Sequence, residues 1–231
     1  LRPPGAEVRN NQDVWNLLRE GAKVQVPEDG SWRTVTVQFI DWDDPSENDW
    51  LAVRQFTVQG ELYECRLDIV GFVNGLPLLF MELKNVSKDI HAAYEQNFLD
   101  YKDTVPHLFH HNAMVVLANG VDAKLGSLTS RFEHFHEWKR LAENQPGVVA
   151  METLLKGVCA KANFLDLVEN FIVFDDSAGE SRKILARNHQ FLGVNRAIEA
   201  VRDRKLRNGK LGVFWHTQGS GKSYSMVLFI R

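Results

Sequence analysis

The stretch that most constrains this chain is Cys65–Asn85, CRLDIVGFVNGLPLLFMELKN. Two apolar runs flank Asn74-Gly75, a pair in which both residues tolerate positive φ, so the stretch predicts a β-hairpin. Its first strand carries Asp68, and its second ends in Glu82-Leu83-Lys84. Side chains alternate along a strand, which puts Glu82 and Lys84 on one face. An acid beside a cation, with a second acid across the hairpin, supplies the parts for metal-assisted phosphodiester hydrolysis. Two carboxylates hold Mg²⁺, and the ammonium group steadies or deprotonates the attacking water. Neither acid is expected to pack in the core.

Register sets a condition on that reading. Around a strict two-residue loop Asp68 would oppose Met81, and Glu82 would point to the other face. Convergence of Asp68 and Glu82 requires one extra residue, as a longer loop or a bulge. Pro77 has no N–H to give a ladder, so the irregularity is expected near it.

The rest of the chain is that of an ordinary globular protein. Its 231 residues carry 30 acidic and 27 basic side chains, a net charge of -3 that argues against a uniformly basic nucleic-acid binder but not against a local basic groove. Cys65 and Cys159 lack metal-ligand spacing and read as buried free thiols in a reducing compartment. No apolar run approaches the roughly 20 residues that span a bilayer. The expectation is a cytoplasmic protein with no membrane partner.

Periodicity predicts helices over 11–20, 88–102, 151–161, 163–171, 188–204 and 223–231, with Asn163 as a cap. Strands are expected at 33–40, 50–58, 113–118, 172–175 and, buried, at 211–215. Leu1–Gly5 reads as an exposed start, 121–129 as loop and strand edge, and 132–141 as helix or loop surface. Within that last stretch, His134 and His136 are not expected to bind metal. The acidic loop 41–49 lacks calcium-loop spacing and reads as a solvated turn. The acidic, Gly-containing segment 175–180 is the candidate domain boundary, dividing 1–178 from 179–231.

Beyond that boundary lies Thr217-Gln218-Gly219-Ser220-Gly221-Lys222-Ser223, between an apolar run and a helix. Such a loop wraps backbone N–H groups around phosphates. Its lysine reaches the β- and γ-phosphates, and its serine binds Mg²⁺. The residues therefore point to ATP. No second acidic motif and no arginine finger follow, so the stretch by itself is not expected to turn ATP over.

The combination resembles the restriction (R, HsdR-type) subunit of type I restriction–modification enzymes. Leu67–Asn85 is similar to that family's PD-(D/E)xK nuclease core, with Asp68, Glu82 and Lys84 at its acidic, acidic and basic positions. Gln96 and Tyr101 match in kind a Gln and Tyr pair on the next helix, at a spacing one residue longer than Gln-x-x-x-Tyr. Arg187-Asn188-His189-Gln190 resembles the adenine-recognising motif ahead of a superfamily 2 helicase-like motor, and Thr217–Ser223 resembles that motor's first motif. The resemblance implies an α/β fold, a mixed β-sheet flanked by helices, followed by the beginning of a RecA-like domain. It implies Mg²⁺ held by Asp68, Glu82 and the Leu83 carbonyl. It further implies ATP-driven translocation of double-stranded DNA by the whole subunit, in complex with methyltransferase (M) and specificity (S) subunits. Two alternatives stand beside it, a non-catalytic module docking the motor to those partners and another ATP-coupled DNA-processing nuclease.

Overall fold

The structure is a computed structural model and describes residues 6–177 and 179–230. The chain opens with α1 (Ala6–Glu20), stopped by Gly21 at φ +76°. A separate antiparallel hairpin follows, β1 (Ala22–Glu28) and β2 (Ser31–Val37), turning at Asp29-Gly30. β1, which contains Pro27, was not among the expected strands. The acidic loop is the solvated turn expected. Asp41 and Asp44 are spent accepting backbone N–H groups, and no cluster of three or more metal-ligating side chains occurs among the described residues.

The centre of the molecule is a six-stranded sheet in the order β3-β4-β5-β6-β7-β8. β3 (Trp50–Gln59), β4 (Glu64–Val73) and β5 (Leu76–Leu83) form an antiparallel meander. β5 then crosses over to β6 (Met114–Ala118), which lies parallel to it. All five residues of β6 are buried, as suits a parallel strand covered on both faces. β7 (Ala123–Gly126) and the two-residue β8 (His136–Glu137) complete the sheet antiparallel to their neighbours. β7 is thus an interior strand where an edge was expected. His136 lies in this strand, not on the helix or loop surface expected for 132–141, and burial pushes its imidazole down to a pKa of about 4.

The crossover is helical and irregular. One α-turn, α2 (His91–Ala93), runs into a π-helical segment, Tyr94–Phe98, and then into α3 (Leu99–Thr104). This layer covers one face of the sheet, where Phe80, Val115 and Leu117 meet Ala93, Phe98 and Tyr101. The opposite face, with Leu79, Met81, Met114 and Val116, is covered by α1, α4 (Met151–Val158) and α5 (Lys161–Asn170). Asn163 is not a cap. It sits inside α5 and donates to the Gly157 carbonyl near the end of α4. Gly157 itself is needed there, because a Cβ would fall 2.1 Å from the Trp138 indole nitrogen.

The expected boundary at 178/179 lies, in sequence, between β9 (Ile172–Asp175) and β10 (Arg182–Leu185), which pair antiparallel. Leu185, and Phe191 and Val194 from α6 (Asn188–Arg202), enter the same core as α4 and α5. Lys183 of β10 is 2% exposed and donates to Asn11 Oδ1 on α1 (2.8 Å) and to the Asn112 carbonyl (2.6 Å). The buried strand expected at 211–215 does not form. Val213 and Trp215 are 92% and 76% exposed, because no described strand lies beside this run to complete a ladder. The last element is α7 (Lys222–Ile230). The expected start at 1–5 lies outside the described residues. Among those described, no helix is long and apolar enough to cross a membrane.

Candidate active site

The hairpin turns at Asn74-Gly75 with φ +50° and +80°. β4 and β5 then pair Val73 with Leu76 and Phe72 with Pro77, after which the register shifts by one. Gly71 pairs with Leu79 and Ile69 with Met81. The irregularity therefore falls beside Pro77, at Leu78. The shifted register sets Asp68 opposite Glu82, on the face covered by α2 and α3.

Both acids are tightly held. The Leu83 N–H donates to Asp68 Oδ2 (2.9 Å), and Gln55 Nε2 donates to Oδ1 (3.1 Å). Glu82 is 6% exposed, contrary to the expectation that it stands free of the core. It follows Phe80 onto the inner face and lies under α3. Its carboxylate accepts from Tyr101 Oη at Oε2 (3.0 Å) and from Lys84 Nζ at Oε1 (3.4 Å). Burial first, and then the charge of Asp68, push its pKa up to about 7. Burial and the Glu82 charge push the Tyr101 phenol up as well.

The helix supplies Asn97 where Gln96 was expected. Lys84 Nζ donates to Asn97 Oδ1, and Asn97 Nδ2 donates to Tyr101 Oη (3.2 Å). Lys84, Asn97, Tyr101 and Glu82 thus form a closed ring of hydrogen bonds. Gln96 is exposed, one step round the helix. Asn97 precedes Tyr101 by four residues, the spacing that stacks two side chains on one helix face. That spacing was the available signal, and residue type concealed it. A π-helical turn beside a constellation of this kind is a common accompaniment of functional sites.

Two opposed carboxylates, one of them buried and raised in pKa by that burial and by its neighbour's charge, offer the oxygen ligands that suit a hard divalent cation. Asp68 and Glu82 are the side chains that can hold it. Lys84 stands two residues on, tethered by a neutral amide as well as by Glu82.

The second constellation is gathered around α7. Lys222 Nζ donates to the carbonyls of His216 (3.0 Å) and Thr217 (3.2 Å). Thr217, Gln218, Gly219 and Ser223 are exposed, and Gly219 and Gly221 take φ near +80°. Gln190 is buried and bridges two elements. It accepts from the Arg187 N–H at the start of α6 (2.8 Å) and donates to the Gly221 carbonyl (3.0 Å). His189 meets the Ser220 carbonyl in the same way (3.1 Å), while Arg187 is exposed. The loop and the Arg187–Gln190 motif are therefore adjacent in space.

Two protein families and several curated relatives match this chain. Residues 3–134 match the family described as type I restriction enzyme R protein N terminus, and residues 189–231 match the SWI2/SNF2 ATPase family. The HindI type I restriction enzyme endonuclease subunit of Haemophilus influenzae is 36% identical over 97% of this chain. A type I restriction enzyme endonuclease subunit of Staphylococcus aureus is 25% identical over 82% of it. The chain spans 22% and 20% of those two relatives. With more than half of its residues matched, the chain belongs to the family of type I restriction enzyme R protein N-terminal regions.

Proposed function

We propose that this chain is the nuclease portion of a type I restriction subunit, hydrolysing phosphodiester bonds of double-stranded DNA with Mg²⁺. The observation that carries the reading is the opposition of Asp68 and Glu82 across a shifted ladder, with Lys84 on the same face. Bound there, Mg²⁺ supplies Lewis acidity and charge neutralisation for the scissile phosphate. Asp68 and Glu82 hold the cation. Lys84 orients water or takes its proton and offsets charge on the phosphate, while Asn97 fixes where its ammonium points. Tyr101 anchors Glu82 by donating to it. In the whole subunit, residues 187–190 and 217–223 begin an ATP-driven motor that translocates DNA within a complex of M and S subunits. Lys222 and Ser223 are its residues for the phosphates and their Mg²⁺.

The test is plasmid cleavage by the full-length subunit with its partners, ATP and Mg²⁺, comparing the native protein with Asp68→Ala. Loss of cleavage with ATP turnover retained supports the nuclease reading. Undiminished cleavage by Asp68→Ala removes it.

A further inference from the structure

Among the described residues, four that are not glycine have φ in the left-handed region. Asp29, Asn74 and Asn208 each precede a glycine in a turn, but Gln55, at φ +54°, lies inside strand β3. A long side chain in that conformation within a strand is an outlier that its surroundings must hold in place. The surroundings are specific. The ladder pairs Arg54 with Ile69 and Phe56 with Leu67, so Gln55 stands opposite Asp68, at the one step between Trp50 and Gln59 where no pair forms. There its amide Nε2 donates to Asp68 Oδ1 at 3.1 Å, while the Leu83 N–H holds Oδ2 at 2.9 Å.

Stability does not account for this arrangement. Gln55 is exposed and joins neither core. A hydrogen bond at an exposed sheet edge adds little, whereas the backbone strain is unfavourable. A glycine would hold the same kink without strain, so what glutamine adds is its amide. That amide and the Leu83 N–H fix one oxygen each. A carboxylate offers about four lone-pair positions, which leaves positions on both oxygens for a cation.

We infer that Gln55 is a positioning residue, brought by the kink in the edge strand to set the carboxylate plane of Asp68 for a divalent cation. The inference rests on the nuclease reading above. It adds a contributor from a third strand, outside the hairpin and the helix that carry the other groups.

The experiment uses the full-length subunit as native protein, Gln55→Gly, Gln55→Asn and Asp68→Ala. Two quantities are read against Mg²⁺ concentration: the rise in Tm without nucleotide, and the rate of plasmid cleavage with partners and ATP. Gln55→Gly is expected to melt no lower than the native protein in EDTA, because it relaxes the strain. Its half-saturating Mg²⁺ should rise about tenfold in both readouts, with high Mg²⁺ restoring the rate. Gln55→Asn tolerates the backbone but carries the amide one methylene short, and should shift Mg²⁺ dependence in the same direction. Native Mg²⁺ dependence in both variants, with Asp68→Ala inert, would overturn the role of Gln55 alone. So would a loss of rate at unchanged half-saturation, or a fall in the EDTA Tm of Gln55→Gly. Native metal response and cleavage by Asp68→Ala would instead overturn the nuclease reading, and this inference with it.

Discussion

Lys84 donates its shorter hydrogen bond to Asn97 and its longer one, 3.4 Å, to Glu82. The neutral partner thus sets the direction of the ammonium, and the charged partner only attracts it. Asn97→Ala should lower cleavage by about 10–100-fold, the usual loss when a group orienting a site residue is removed. Asn97→Gln should recover part of it, and Gln96→Ala should leave the rate unchanged. Single-turnover cleavage at saturating Mg²⁺ checks all three.

The raised pKa of Glu82 has a consequence for stability. In the unfolded chain the carboxyl ionises near its ordinary value of 4.5, and in the folded chain at about 7. Between those values the native state binds the extra proton, so this group's contribution is present below pH 4.5 and lost as pH rises through 7. The full loss is on the order of 3 kcal/mol without metal. Glu82→Gln should therefore raise Tm in EDTA at pH 8, remove most of this decline, and abolish cleavage. Thermal and denaturant melts of both proteins in EDTA from pH 4 to 8 measure the Tm and the decline.

Lys183 acts with the opposite sign. Burial pulls its pKa from 10.5 down to about 7, and its recorded partners are oxygens of Asn11 and Asn112 without formal charge. Above pH 7 the native state releases a proton that the unfolded chain keeps, so stability rises with pH from 7 towards 10.5. Lys183→Met should flatten that rise and stabilise the protein below pH 7. Melts of the two proteins at pH 6 and pH 9 distinguish this from a simple loss of hydrogen bonds, which would lower Tm at both.

Gly157→Ala tests the packing under the sheet. Alanine is the better helix former by about 1 kcal/mol. The added Cβ would nonetheless meet the Trp138 indole at 2.1 Å, and overpacking of this kind costs about 1–3 kcal/mol. The clash should win, lowering Tm by several degrees.

The hairpin was legible because each of its signals acts locally. Asn74-Gly75 dictates the turn, Pro77 disturbs the ladder, and period two carries Glu82 and Lys84 to one face. Asn97 was hidden by its type, although its spacing to Tyr101 was in plain view. The β1–β2 hairpin carried a usable signal in Asp29-Gly30, although Pro27 inside β1 runs against a strand pattern. Gln55 left no trace in the sequence, since nothing in a strand's pattern marks a residue that will take φ +54°. The run 211–215 is apolar enough for a buried strand, but a strand also needs neighbours, and a sequence window does not contain them.

The shifted register at Leu78 makes the β4–β5 connection a ruler. Substitutions along Phe72–Met81 alter packing and leave the count of residues between Asp68 and Glu82 unchanged. Deleting Leu78 would restore the plain two-residue hairpin and turn Glu82 and Lys84 together towards the opposite layer. Selection on this stretch should accordingly be stricter on length than on composition, with insertions and deletions purged where exchanges among apolar residues pass.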